Sequence, residues 1–367
     1  MSVSIMQKNF KLVLDTFCEV YDELKPWADA EFWNLEEHIQ AGQLIPGALY
    51  LIGRRQFFVN TELIRQLVTD QVIQVILSNP AEGSDTLRTH CDQIFKVTDL
   101  VKSKQILLIG GGDMDPEWPC LQYDSFLPKL YDYTENLSAA ARVDEIYNTT
   151  DKPYKFLFLN GRGRSHRQYL ISRFLNSGLI DSSIWSNLDQ ANGPVKYLDA
   201  QYEVDQYKNR VNTDTSETYV KYHLFDNEWG EIYLKMEPYV DTYFSVVTET
   251  VFKYPYSFRT EKIWKPIAIG HPWIAVANRG FYRDIHNLGF RSFGDLIDES
   301  FDQIDNNQDR LERIAAVIED LCQQDLAKFL TECYNTCKYN QQHLATMRLQ
   351  VRAEFPNRFF DFINAQL

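Results

Sequence analysis

Two short segments of the chain carry residue types that bind phosphate. In the first, Thr260, Glu261 and Lys262 stand at the start of a predicted helix. A helix N-terminus attracts anions, and a lysine there adds a full positive charge. Glutamate suits a helix start without any ligand, so the lysine is the more informative residue. A carboxylate beside it that bound ribose would indicate a nucleotide diphosphate as the ligand.

The second segment follows a predicted strand at residues 155–160 and leads into a predicted helix. Guanidinium groups bind phosphate oxygens in bidentate pairs, and glycines let the backbone approach a ligand closely. In open α/β sheets, ligands bind where strands end. The polar residues of this segment are Asn160, Arg162, Arg164, His166 and Arg167. A solvated basic turn is the alternative, but the chain is acidic overall, so phosphate binding is favoured.

Three carboxylates stand at predicted strand ends. Glu249 ends a strand that looks buried, where a carboxylate is costly unless it has a partner. Asp113 and Asp115 follow another strand in the sequence GGGDMD. That loop could be a plain turn, a metal-nucleotide Asp-x-Asp motif or the glycine-rich loop of S-adenosylmethionine-dependent methyltransferases. Pro116 and Pro119 argue against the last of these, because that loop needs a helix immediately afterwards.

The composition is that of a folded globular protein, and 367 residues are enough for two domains. The net charge of −14 argues against general nucleic-acid binding, which needs a basic surface.

Cys333 and Cys337 lie four residues apart but would need two further ligands for a metal, so we predict no metal site. The cysteines are expected to be reduced core thiols. With no signal peptide and no membrane span, we expect a cytoplasmic protein.

Short apolar runs alternate with helical patterns, which predicts βαβ units and mostly parallel sheets. After a helical segment at 5–40, strands are predicted at 48–53, 72–80, 94–97 and 105–112, with helices at 60–70 and 81–91. The second series has strands at 155–160, 244–249 and 271–277, with helices at 165–178, from Thr260, and at 280–288. Residues 190–242 give no clear pattern. The predicted domains are 1–150, 151–305 and a helical extension at 306–367.

Together these segments resemble one known family. NGRGRSHRQYLISRF, the Glu249-Thr250 strand end, TEKIWKPIAIGHPWI and LGFRSFGDLIDESFD are similar to glycosyltransferases related to the α-1,3-fucosyltransferases, over about residues 155–315. The resemblance implies an α/β protein with two Rossmann-like domains, the GT-B architecture, whose nucleotide-sugar donor binds mainly to the C-terminal domain. Residues 1–150 show no such resemblance and are expected to bind the acceptor.

The resemblance also implies roles for single residues. The family's Tyr/Phe-x-Thr-Glu-Lys motif matches residues 258–262 and implies Glu261 on the donor's ribose and Lys262 on its diphosphate. The family's arginine-rich helix start matches residues 160–167 and implies that Arg162, Arg164 or Arg167 contacts the pyrophosphate. The carboxylate before the family motif matches Glu249. The family usually reads Glu-Asn-Ser there, whereas this chain reads Glu-Thr-Val, so the donor sugar need not be fucose.

We therefore expect a glycosyltransferase that moves a sugar from a nucleotide-diphosphate sugar to a hydroxyl of a glycan, protein or small molecule. The arginines and Lys262 would stabilise the leaving diphosphate in place of a metal, with no further cofactor. In the GT-B arrangement Asp113 or Asp115 could deprotonate the acceptor, and Glu249 is the third candidate catalytic carboxylate. The alternative is a non-catalytic nucleotide- or glycan-binding module on the same scaffold, and a methyltransferase is the least favoured hypothesis.

Overall fold

The computed structural model describes residues 9–130, 140–160, 163–187, 234 and 236–366. The chain divides into two units, one formed by Met1–Pro128 with Met347–Leu367 and the other by Lys129–Thr346. These units differ from the predicted domains in two places. Residues 129–150 belong to the second unit, and the predicted helical extension is divided, with 306–346 in the second unit and 347–367 in the first.

The first unit is built on a six-stranded parallel sheet. Its strands are β1 (Leu12–Asp15), β2 (Ala30–Phe32), β3 (Leu49–Gly53), β4 (Gln74–Asn79), β5 (Ile106–Gly110) and β6 (Cys120–Gln122). They lie in the order β2-β1-β3-β4-β5-β6. The chain moves outward from β1 to β2 and then crosses to β3 on the other side. The topological switch point of this sheet therefore lies between β1 and β3, where open α/β sheets bind ligands.

Helices cover both faces of this sheet. They are α1 (Tyr21–Leu24), α2 (Leu35–Gln40), α3 (Arg54–Thr69), α4 (Ser84–Thr89), α5 (Thr98–Lys102) and, at the boundary of the units, α6 (Phe126–Leu130). Alternate strand residues enter two separate cores, as Tyr50 and Leu51 of β3 do. The second core also contains Phe355 and Phe359 from the end of the chain, which explains why this segment belongs to the first unit.

The second unit has a four-stranded parallel sheet. Its strands are β7 (Tyr154–Asn160), β8 (Ser183–Asn187), β9 (Thr242–Thr248) and β10 (Trp273–Val276), in the order β10-β9-β7-β8. Its helices are α7 (Asp144–Tyr147), α8 (Ser165–Asn176), α9 (Glu237–Val240), α10 (Glu261–Ala268), α11 (Phe281–Asn287), α12 (Asn307–Leu321) and α13 (Leu326–Gln366), whose last part belongs to the first unit. By the same rule, its switch point lies between β7 and β9.

The predicted α/β class with parallel sheets is confirmed, and so is the start of α10 at Thr260. The predicted helical segment at 5–40 is wrong, because it contains β1 and β2. Strands of four and three residues are too short to show a period of two against an amphipathic background. Of the stretch at 190–242, residues 190–233 and 235 lie outside the described residues.

One further prediction for the first unit is wrong, and another is confirmed in part. No strand forms at 94–97, because a π-helical turn at His90–Ile94 is followed by Lys96 in a left-handed conformation (φ 54°). The apolar residues of that run, Phe95 and Val97, instead fill the core. The helix predicted at 60–70 is present as the second part of α3, which already begins at Arg54 and is kinked at Asn60, where the backbone is not helical.

None of the helices in the described part of the chain is both long enough and apolar enough to cross a bilayer. All six cysteines are free.

Candidate functional site

The polar residues predicted in the second unit gather at the switch point of its sheet. Asn160 is the last residue of β7, and Glu249 directly follows β9, which lies beside β7. Helix α8 begins five residues after Asn160, and a loop leads from Glu249 to α10. Ligands of open α/β sheets bind in the crevice outside such strand ends.

Two side chains in the first turn of α8 donate hydrogen bonds to backbone carbonyls at the end of β9. Arg167 donates from Nη2 to the carbonyl of Thr248 at 2.8 Å, and His166 donates from Nε2 to the carbonyl of Glu249 at 3.0 Å. The hydroxyl of Thr248 donates to Oδ1 of Asn160 at 2.6 Å, which ties the two strand ends together. These buried bonds make Asn160 and Arg167 part of the frame of the site. Their predicted contact with a diphosphate stays a prediction.

His166 is held as a neutral imidazole. Burial, helped by the charge of Arg167, lowers the pKa of His166 to about 3. Because Nε2 faces a carbonyl oxygen, that nitrogen carries the proton. The ring stacks on Phe252 with centroids 5.0 Å apart. His166 therefore adds no positive charge for a phosphate near neutral pH, and its one N–H already donates to the carbonyl of Glu249.

Glu249 finds the partner that a buried carboxylate requires. Its side chain is fully buried, and Oε1 accepts from the backbone N–H of Thr260 at 3.1 Å. Its Oε2 accepts from the hydroxyl of Thr260 at 2.8 Å. Burial raises the pKa of Glu249, and the charge of Lys262 only partly opposes this. The geometry makes Glu249 a positioning residue for the start of α10, and its predicted catalytic role stays a prediction.

Thr260 caps α10 as the sequence predicts. Its hydroxyl accepts from the backbone N–H of Lys262 at 3.3 Å and from the Lys262 ammonium at 3.1 Å. The same ammonium donates to Oε1 of Glu261 at 2.5 Å. Burial alone would raise the pKa of Glu261, but the charges of Lys262 and Lys265 outweigh it and lower the pKa below its ordinary value. Glu261 is thus an ionised hydrogen-bond acceptor, and Lys262 is a partly exposed cation at the helix start.

Arg164 occupies the N-cap position of α8, with an extended backbone. Its Nε is buried and has no hydrogen-bond partner among the residues that the structure describes. A buried donor without an acceptor is costly, so this guanidinium is suited to an anionic ligand. Arg162 lies outside the described residues, so the structure does not place it.

The other two predicted carboxylates belong to the first unit, in the loop after β5. Asp115 is nearly buried and accepts from Arg88 at 3.0 Å and from the backbone N–H of Glu117 at 3.0 Å. Asp113 is half-buried and accepts from Gln122 at 3.4 Å. Of the two, Asp113 is the more open to a substrate. Within the described ranges, no three His, Cys, Asp or Glu side chains are grouped closely enough to hold a metal ion.

Sequence reasoning missed one residue that shapes the site. Arg310 of α12 is buried, donates from Nη2 to the carbonyl of Phe252 at 2.6 Å and lies with its guanidinium carbon 4.5 Å from the centroid of that ring. Phe252 thus contacts both His166 and Arg310. The loop between β9 and α10 is therefore held from two sides. No local pattern signals this contact, because Arg310 lies 58 residues along the chain from Phe252.

Compared with the models of known protein families and with curated protein sequences, the chain matches none.

Proposed function

We propose that the second unit binds the diphosphate of a nucleotide sugar and that the protein is a glycosyltransferase of the GT-B type. The observation that carries the proposal is that the first turn of α8 and the N-cap of α10 are both hydrogen-bonded to Glu249. The carbonyl of Glu249 accepts from His166 at the start of α8, and its carboxylate accepts from Thr260 at the start of α10. Two helix N-termini are thereby fixed at one topological switch point, which favours an anion.

The charges at these helix starts suit a leaving diphosphate. Arg164 brings a guanidinium whose Nε lacks a partner in the described part of the chain, and Lys262 brings a partly exposed ammonium. Fixed positive groups of this kind stabilise the negative charge that develops when the bond between the sugar and the phosphate breaks. The ionised carboxylate of Glu261 is suited to accept hydrogen bonds from the ribose hydroxyls.

The reaction is proposed as attack of an acceptor hydroxyl on the anomeric carbon. The bond from that carbon to the phosphate oxygen breaks, its electron pair leaves with the nucleoside diphosphate, and a base takes the hydroxyl proton. Both oxygens of Glu249 accept hydrogen bonds from Thr260, so this residue is poorly placed to be the base. The base stays a prediction from the sequence, with Asp113 and Asp115 as its candidates. The free cysteines suit action in a reducing compartment such as the cytoplasm.

A thermal-shift screen tests donor binding directly. GDP, UDP, ADP, CMP and their sugars are added to the full chain, since a ligand that binds only the folded state raises the midpoint of unfolding. At a concentration of 100 times the dissociation constant, stabilisation is about 2.7 kcal/mol. We expect one nucleoside diphosphate and its sugar to stabilise the protein, and Arg164→Ala to abolish the shift. Lys328→Ala, which removes an exposed lysine of α13, is the matched control.

The same screen separates the proposal from its alternatives. Any donor that stabilises the protein is next incubated with it, and release of the nucleoside diphosphate is followed over time. Stabilisation without release would favour a non-catalytic nucleotide-binding module. No stabilisation by any of the compounds would overturn donor binding itself.

A further inference from the structure

Half-exposed aromatic residues of the first unit gather where its strands end. Phe17 follows β1 by two residues, Trp33 directly follows β2, and Phe58 lies in the second turn of α3 after β3. Their exposed fractions are 50, 53 and 50%. Large apolar side chains exposed together on a protein surface usually mark a binding site. We call these three residues, with Arg54 and Arg55, the aromatic edge.

Arg55 fixes two of the rings. Its guanidinium carbon lies 4.4 Å from the ring centroid of Phe17 and 5.0 Å from that of Trp33. The two rings meet edge to face with centroids 5.9 Å apart. Nη2 of Arg55 also donates to the carbonyl of Trp33 at 2.6 Å and lies 3.7 Å from Asp15. The rings are therefore ordered before any ligand arrives, which lowers the entropy cost of binding.

Arg54, the residue before Arg55, also places its guanidinium over an aromatic ring. Its guanidinium carbon lies 5.2 Å from the ring centroid of Phe58, and its Nη1 donates to Glu82 at 2.9 Å. Phe58 also packs edge to face against Phe95, with ring centroids 5.1 Å apart. Ring faces therefore alternate along the edge with groups that donate and accept hydrogen bonds.

A buried amide without partners lies at the same edge of the sheet. Asn79 ends β4, the strand beside β3, and is 1% exposed. Neither its Nδ2 nor its Oδ1 has a hydrogen-bond partner among the described residues. Its carbonyl accepts from the N–H of Glu82, the partner of Arg54. An amide that needs both a donor and an acceptor indicates a polar ligand rather than an apolar one.

We propose that the aromatic edge binds the pyranose ring of a neutral carbohydrate. The C–H faces of a sugar ring pack on aromatic faces, while its hydroxyls both donate and accept hydrogen bonds, as Arg55 and the Arg54–Glu82 pair require. An anionic ligand fits less well, since Arg55 lies beside Asp15 and Arg54 is paired with Glu82. An apolar protein surface would remove these charges from water without replacing their hydrogen bonds. The edge lies at the switch point of the first sheet, and it is proposed to bind the sugar without any nucleotide.

Saturation-transfer NMR on the full chain tests this, with no nucleotide present. The probes are cellotriose, maltotriose, mannotriose and N-acetylchitotriose, which differ in the configuration of the glycosidic linkage, in the orientation of the hydroxyl at C2, or in the N-acetyl group at C2. We expect at least one to receive saturation, and Trp33→Ala to weaken its binding about tenfold or more through the lost ring face. Arg55→Ala should weaken it as well. Leu349→Ala is the control, because Leu349 is a 60% exposed apolar residue of the same unit outside the edge.

Each other outcome overturns the proposal. No saturation of any probe, or equal binding by the wild type and Trp33→Ala, would remove the aromatic edge as a carbohydrate site. Self-association of the wild type that Trp33→Ala abolishes would show that a second copy of the chain covers the edge instead. Nucleotide-dependent stabilisation is measured on the same variants, so failure of the donor site and failure of the aromatic edge are read separately. Thermal unfolding checks that each variant is folded.

Discussion

Both carboxylate oxygens of Glu249 accept hydrogen bonds from one residue, Thr260. The backbone N–H lies 3.1 Å from Oε1 and the hydroxyl lies 2.8 Å from Oε2. Glu249 directly follows β9 and Thr260 is the N-cap of α10, so this pair of residues fixes the position at which α10 starts. It also explains how a fully buried glutamate is tolerated at this position.

Thr260→Val should destabilise the second unit. The substitution keeps the shape of the side chain but removes the cap of α10, which costs about 1 to 2 kcal/mol. It also removes the shorter of the two hydrogen bonds that Oε2 of Glu249 accepts, since only the backbone N–H of Thr250 at 3.3 Å remains, and this costs about 1 kcal/mol more. Urea unfolding of the purified variant measures the change. Thr331→Val, on the exposed surface of α13, is the matched control and should change stability by less than about 0.5 kcal/mol. A Thr260→Val variant as stable as this control would contradict the importance of the pair.

Removing positive charge from the proposed donor site should slow the release of nucleotide from its sugar. Arg164→Ala and Lys262→Ala are each expected to lower the rate about 100-fold, because the leaving diphosphate loses a fixed positive group. Arg164→Ala is the cleaner test, since Lys262→Ala also takes the ion-pair partner from the buried Glu261.

Steady-state assays with the donor found in the screen give the rates. Circular dichroism confirms that the variants are folded, and Lys328→Ala serves as the charge-matched control. Wild-type rates in both Arg164→Ala and Lys262→Ala would eliminate the proposed site.

The local features of the site could be predicted from the sequence, whereas its connections could not. Thr260 was recognisable as a helix cap because capping depends on residues two or three positions apart. Glu249 was recognisable as a buried carboxylate in need of a partner. The hydrogen bond from His166 to the carbonyl of Glu249 depends on the pairing of β7 with β9. His166 and Glu249 lie 83 positions apart in the sequence. The local patterns of a single sequence do not reveal a contact between residues so far apart.

The aromatic edge was not predicted from the sequence, because it too depends on the pairing of strands. Phe17 and Trp33 lie in the segment at 5–40 that was predicted as helical, so their positions after two strands were not visible. Only the parallel pairing of β1 with β2 and β3 brings the ends of these strands to one edge of the sheet. Strands β1 and β2 are too short for their period to be read from the sequence.

Arg310→Lys should loosen the loop between β9 and α10. Lysine keeps the charge but has a single nitrogen in place of the two, Nη1 and Nη2, from which Arg310 donates to the carbonyls of Ile304 and Phe252. We expect a loss of about 1 to 3 kcal/mol in the free energy of unfolding. Arg313→Lys, on the same helix, is the control, since Arg313 forms a surface ion pair with Asp298 and such pairs contribute less than about 1 kcal/mol. Equal losses in the two variants would show that the contact with Phe252 is unimportant.

Two buried histidines should make the second unit sensitive to acid. Burial lowers the pKa of both His166 and His271 to about 3, from an ordinary value of 6.5. His271 is fixed as neutral, because its Nε2 donates to the carbonyl of Thr242 and its Nδ1 accepts from Ser245. Between these two values the unfolded chain binds protons that the folded chain does not, so stability rises with pH across this range.

Each of these histidines should therefore lower stability by about 2 kcal/mol as the pH falls from about 7 to about 5. Urea unfolding at the two pH values measures this dependence. His166→Gln and His271→Gln should each reduce the difference between the two pH values, even though each variant also loses hydrogen bonds at both. His286→Gln is the control because His286 is exposed on α11. If the pH dependence of both buried-histidine variants equals that of the wild type, these imidazoles are not held neutral by the fold.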